Sequence, residues 1–386
     1  MRSAGLDEAF AVASEIVADV RARGDDAVRD WTERFDGSSP ASLRVTAERL
    51  ATACVRAEDL EALRALAAAV EAFVQPQRPL DTSLEPVPGV RSERRWLPLD
   101  SVGIYVPSGR FPLPSSLLMA AVPARVAGVR RVVVATPRAV DPILTAARLA
   151  DVDEVYEIGG AQAIAALAHG TETIRPVDKI VGPGNRFVTA AKLLVAATVG
   201  IDLPAGPSEL VVIADASADA ALCAADLCAQ AEHGPDSSCL LLTIDETLSD
   251  AVANLVGEYD NIAVELVPSL VEALRRSEEY APEHLELLVE DPDPLLARVR
   301  NAGTVFVGTS AVVGDYAAGA THILPTGGLA RAAGGLGLEA FLKPLQVVRA
   351  DEHAPAAARA IAGPLARLEG LPWHAAAVDE RVRASR

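Results

Sequence analysis

The side chains best suited to chemistry in this 386-residue chain are Gln230 and His233, Glu283 and His284, Asp315 and His374. Gln230 and His233 stand three apart in an apolar helical run, 221–233, so both leave one helix face and could hold one metal ion. Glu283 and His284 are neighbours able to move protons, and Pro282 before them marks a turn or a helix boundary. Asp315 and His374 would complete a zinc shell of nitrogen and oxygen donors. Taken singly, each has a plainer explanation: a Gln and a His one turn apart solvate a helix end, and Glu-His after a proline caps a helix. A metal-assisted redox site requires all of them in one place.

The elements that must bring them there follow from periodicity. From Ser101 onward, short apolar or β-branched runs alternate with longer helical segments, the pattern of an α/β protein with parallel strands and crossover helices. Strands are predicted at 101–106, 131–135, 154–158 and 179–181, with helices starting near Ser115, Asp141, Ala161 and Asn185. After Ala205-Gly206-Pro207-Ser208 a second series follows, at 209–214, 238–244, 262–267, 285–289 and 304–307. The expected fold is therefore two Rossmann-like units with a helical N-terminal region and a helical tail. The first hundred residues show amphipathic helices at 9–23 and 57–73, no strand series, and are expected to pack on the second unit. Residues 1–104 with 208–343 form one expected discontinuous domain, 105–207 a second, and 344–386 a tail too short for its own core. No G-x-G-x-x-G follows any predicted strand. Gly159-Gly160-Ala161-Gln162 and Gly182-Pro183-Gly184-Asn185 instead set polar groups beside helix starts, where the plainer reading is a tight turn with a cap.

Composition narrows the function classes. Acidic residues outnumber basic ones by 53 to 35, a net charge of -18 that repels nucleic-acid backbones and anionic lipid. Half of the residues are hydrophobic, enough for a large core. Yet there is no uncharged apolar stretch of about 18 residues, and the acidic N-terminus does not look like a signal peptide. Cys54, Cys223, Cys228 and Cys239 lack C-x-x-C spacing, which fits a reducing cytoplasm.

An ordered series of motifs carries a family likeness: GDDAVRDWTERFDG from Gly24, SVGIYVPSG from Ser101, IGGAQAIAALAHGTETI from Ile158, VDKIVGPGN from Val177, GIDLPAGPSELVVIAD from Gly200, AQAEHGPDS from Ala229, APEHLEL from Ala281, GDY from Gly314 and HILPT from His322. The chain resembles the histidinol dehydrogenase family over nearly its whole length. That resemblance implies zinc held by Gln230, His233 and Asp315 of one subunit with His374 from the other subunit of a homodimer, and catalysis by Glu283 and His284. It also implies NAD contacts from Tyr105, Gln162 and Asn185. Substrate contacts would come from Ser115, Ser208, His322 and Glu369 together with Gln230, His233, His284, Asp315 and His374. The reaction implied is a four-electron oxidation of an alcohol to a carboxylate. Against the family pattern, Ser108 replaces a glycine in a turn expected to need positive φ, Thr321 replaces an Asn, and the linker 309–313 is short and lacks a usual glutamate. Arg110 suggests a rival reading, a related zinc and NAD dehydrogenase of an anionic alcohol such as a sulfonated diol. A metal-dependent hydrolase and an inactive binding homologue are further alternatives.

Overall fold

The computed structural model describes residues 6–108, 111–204 and 206–384. They divide into two compact units, one of Met1–Gln77 with Leu99–Phe341, the other of Arg78–Pro98 with Leu342–Arg386.

The larger unit begins with helices α1 (Leu6–Arg23), α2 (Asp25–Asp36), α3 (Ala47–Thr52) and α4 (Ala57–Val74). The smaller unit takes up the chain at strands β1 (Thr82–Val87) and β2 (Val90–Pro98). Two parallel sheets then follow in the larger unit. The first holds β3 (Ser101–Tyr105), β4 (Arg131–Thr136), β5 (Glu154–Glu157), β6 (Lys179–Val181) and β7 (Gly200–Ile201), in the order β5-β4-β3-β6-β7. Its crossovers carry α5 (Pro114–Ala127), α6 (Asp141–Leu149), α7 (Gly160–His169) and α8 (Arg186–Val195). The second holds β8 (Glu209–Ala214), β9 (Ser238–Thr243), β10 (Ile262–Leu266), β11 (His284–Leu288) and β12 (Thr304–Val307), in the order β10-β9-β8-β11-β12. Helices α9 (Ala220–Ala231), α10 (Glu246–Val256), α11 (Leu270–Tyr280) and α12 (Asp293–Leu296) connect these strands, and α13 (Ala311–Tyr316) follows the last.

Burial on both faces explains why these strands are continuous apolar runs. In β8 every residue from Glu209 to Ala214 is buried. Leu210, Val212 and Ala214 pack with Leu227 of α9 and Val252 of α10, while Val211 and Ile213 pack with Leu274 of α11 and Leu285 of β11. Local signals set the helix ends: Asp219 accepts from the N–H groups of Ala221 and Leu222 to start α9, and Pro114 opens α5.

Two expectations are corrected. Helices α1 and α2 pack on the first sheet, not the second; Ala9, Ala13, Ile16 and Val20 share a core with Val133, Ile164 and Ile180. Nor is the segment around residue 90 free of strands. In the smaller unit β1, β2 and β13 (Leu342–Ala350) form an antiparallel sheet, before α14 (Ala354–Leu368) and α15 (Pro372–Ala384) supply the expected helical tail. These strands are largely exposed and studded with charge, so they leave no apolar run to read.

Candidate active site

The chemistry-bearing side chains gather at the amino edge of the second sheet. Helix α11 ends with Ala281 in the left-handed region at φ 51, Pro282 prevents its continuation, and the chain enters β11 at His284. Glu283 and His284 are thereby held beside Glu209, the first residue of the central strand β8. The Glu209 N–H donates to Glu283 Oε2 at 2.9 Å, and its carbonyl accepts from His284 Nδ1 at 3.3 Å. A carbonyl only accepts, so the proton sits on Nδ1 and the lone pair on Nε2. That Nε2 is buried without a hydrogen-bond partner, 3.8 Å from Asp315 Oδ1.

The same device recurs twice. His322 points Nδ1 at the Asp315 carbonyl, 3.2 Å away, and its Nε2 meets the Ser116 hydroxyl at 3.0 Å. His233 directs Nδ1 to the Ala229 carbonyl at 3.2 Å, which leaves Nε2 as its basic nitrogen. Electrostatics divides acid from base. Burial pushes the Glu283 carboxyl well above its usual range, with the Glu209 and Asp315 charges adding to the effect. Burial also lowers His284 to about 4 despite the opposing attraction of Asp315. The imidazole is therefore held neutral well below neutral pH, and burial biases the Glu283 carboxyl toward its protonated form.

A cavity of ≈ 1010 Å³ opens at the carboxyl edge of the first sheet, lined by Tyr105, Gln162 and Asn185 and also by Glu232, His233 and Tyr316. It lies beside the ends of β3 and β6, where the strand order reverses, the usual ligand crevice of such sheets. Tyr105 accepts from the Gly160 N–H at 3.2 Å, leaving its own O–H to donate, and burial raises that hydroxyl to about 12. Gln162 is buried with an orphaned Oε1. Asn185 is the N-cap of α8, accepting from Phe187 and Val188, so its oxygen is committed and its amide nitrogen is what remains for a ligand.

Other expected residues fall as follows. Gln230 is buried in the last turn of α9, but His233 lies beyond the helix, past its C-cap Glu232 and just before Gly234-Pro235. Ser115 is buried in the first turn of α5, though its neighbour Ser116 is the one that meets His322. Ser208 is half-buried and its carbonyl accepts from Ser238. Glu369 and His374 are exposed in the smaller unit, at the end of α14 and in the first turn of α15. Among the described residues no three His, Cys, Asp or Glu side chains group to hold a metal ion. The four proposed ligands fit zinc in kind, being imidazole nitrogens, a carboxylate and an amide carbonyl; Gln230, His233 and Asp315 lie in the larger unit and His374 in the smaller. Ser108 does not adopt positive φ; its buried hydroxyl accepts from the Arg138 N–H at 2.8 Å and bonds Thr136 at 2.9 Å. Arg110 lies outside the described residues.

Residues that sequence reasoning missed are Ser116 and Glu209. Glu209 did carry a signal, an acid opening an otherwise apolar strand, ELVVIA.

Comparison with known proteins agrees with this architecture. The sequence model of the family described as histidinol dehydrogenase matches residues 2–382. The chain is 45% identical to the histidinol dehydrogenase of Rhizobium meliloti over 97% of its length and 92% of that protein's, and 41% identical to that of Methanosarcina barkeri over 98% and 93%. The crystal structure of histidinol dehydrogenase from Elizabethkingia anophelis is 34% identical with a TM-score of 0.91, covering 97% of this chain and 92% of that one. The chain belongs to the histidinol dehydrogenase family of oxidoreductases.

Proposed function

We propose that the chain oxidises L-histidinol to L-histidine through L-histidinaldehyde, the closing steps of histidine synthesis, in a zinc-containing homodimer that uses NAD. One observation carries the reading: a single cavity is lined by Tyr105, Gln162 and Asn185 and also by His233, so a dinucleotide and a metal-held substrate would share one space. Zinc on Gln230, His233, Asp315 and a partner's His374 would anchor the substrate's amino and imidazole nitrogens, and NAD would accept the hydride.

The remaining work falls to the chain's own groups. His284, neutral and with Nε2 as its basic nitrogen, takes the alcohol proton as the hydride leaves. In its ionised form Glu283 takes a proton from the water whose oxygen bonds to the aldehyde carbon, and the burial that raises its carboxyl makes it the stronger base for that step. Ser115, Ser208 and His322 line the substrate side, and Glu369 reaches it from the partner's tail. Exposure of Leu368 and Trp373 beside Glu369 and His374 supports docking of that tail on a second subunit.

The test is NADH counted per L-histidinol consumed by zinc-loaded protein, with two NADH and one histidine expected. Absence of turnover in a dimer that binds both zinc and NAD would reject histidinol as the substrate. Mixing His374→Asn subunits with Glu283→Gln/His284→Gln subunits should restore activity if the site is shared; no recovery despite subunit exchange would reject that arrangement.

A further inference from the structure

The turn between β6 and α8 is gripped by a buried lysine that the mechanism does not use. Lys192 sits on α8, about two turns beyond the Asn185 cap, with its side chain 2% exposed. Its partner Asp202 follows β7, the strand beside β6, and its side chain is 3% exposed. An ammonium has three protons to give, and all three are taken: Lys192 Nζ donates to Asp202 Oδ1, to the Gly182 carbonyl at 3.0 Å and to the Leu203 carbonyl at 2.9 Å. The second carboxylate oxygen, Asp202 Oδ2, accepts from the Gly182 N–H at 2.7 Å. The two members of one pair thus hold the N–H and the C=O of a single glycine. That glycine stands at φ 110 with its Cα against the Tyr105 backbone, and Pro183-Gly184 lead from it to Asn185.

A buried Lys-Asp pair adds little net stability, because lost hydration offsets the attraction. What it adds here is direction. The N–H and C=O of Gly182 belong to the peptide groups on its two sides, so bonding both fixes φ and ψ together at a residue that would otherwise roam widely. With every proton committed, Lys192 has none to offer a phosphate; it acts on the turn and not on a ligand. We propose that Lys192 and Asp202 are positioning residues for the dinucleotide: clamped on Gly182, they set the turn after β6 before a cofactor arrives, and so hold Asn185 and the Tyr105 end of β3 at the cavity wall. Ordering the turn in advance spares the ligand that cost on binding. The inference rests on the NAD reading of the cavity.

The full chain tests this with the double variant K192M/D202V, which removes the pair without stranding a lone buried charge. The dissociation constant for NAD, read by fluorescence titration, should rise about tenfold, while kcat at saturating NAD and zinc content stay at the wild-type values. An unaltered dissociation constant overturns the proposal, and so does a kcat that falls as far as the affinity, since a loosened fold would damage both. Should the variant fail to fold, hydrogen exchange in the wild-type chain decides. Without NAD the Gly182 amide should exchange as slowly as the amides of β6; exchange as fast as that of an exposed turn, slowed only when NAD is added, overturns the proposal. If wild type binds no NAD, the cofactor reading fails separately. Slow Gly182 exchange then sustains the pair as what sets the turn, and fast exchange refutes it.

Discussion

The sheet β5-β4-β3-β6-β7 and the sheet β10-β9-β8-β11-β12 are wound alike, each with its first strand in sequence at the centre and a reversal of order beside it. They nevertheless lend opposite edges to the site. The first sheet uses its carboxyl edge, where Gly160 at φ 64 and Gly182 at φ 110 turn the backbone away and leave the large cavity open. In the second sheet Asp215, just after β8, accepts from the Glu290 N–H at 3.0 Å and from the Ser217 N–H at 2.9 Å. A carboxylate that occupies those donors leaves nothing for a phosphate, and the second sheet instead presents Glu209, Glu283 and His284 at its amino edge. Topology alone does not place a site; turn chemistry at each sheet end does.

If the edges are specialised, damage to one should spare the other. The largest effect belongs to the amino edge. His284→Gln should lower kcat by about 10²–10⁴ while the dissociation constant for NAD, read by fluorescence titration, stays at the wild-type value. A kcat within a few-fold of wild type would remove His284 from the chemistry, and a parallel loss of NAD binding would mean that the two edges are not separable.

The same residue predicts how the metal-free chain responds to acid. Its folded-state value of about 4 lies below its ordinary 6.5, so between those limits the unfolded chain binds more protons than the folded one. Stability from this group is complete above 6.5 and is lost as pH falls towards 4, on the order of 3 kcal/mol. Urea melts across that range should show a shallower acid loss for His284→Gln than for wild type; equal slopes would mean that His284 is not held neutral by burial.

Much of this division could be read in the chain, and the exceptions have physical causes. Buried parallel strands have both faces covered, so 131–135, 179–181 and 209–214 stand out as apolar runs and are found in place. β2 escaped because VRSERRWLP alternates charge on an exposed ribbon. The site was legible as residue types, whereas its hydrogen bonds were not. The partners of His284, His322 and His233 are main-chain carbonyls, which carry no side-chain signature. Ser108 looked strained because a glycine turn was assumed; it has no positive φ, and its buried hydroxyl shows a polar anchor instead.

The carboxyl edge should fail differently. An added methyl at Gly182 would lie 2.2 Å from the Tyr105 carbonyl oxygen, on a residue already at φ 110. Gly182→Ala should therefore cost about 1–3 kcal/mol of stability and widen the loss of NAD binding without changing metal content. Wild-type urea midpoint and NAD affinity together would show that the close approach of β3 and the β6 turn is not needed.

The smallest effect is the most selective. Gln162 Oε1 is buried and orphaned in the free chain, which is costly unless a ligand donor completes it. Gln162→Leu keeps the volume and removes the orphan, so the free chain should melt at the same temperature as wild type or higher. Its NAD affinity should fall about two- to tenfold, the worth of one hydrogen bond of about 0.5–1.5 kcal/mol, with kcat at saturating NAD unaltered. A structural role predicts the reverse order of effects, a lower melting temperature with binding intact, because the amide would then be satisfying the fold rather than waiting for a partner.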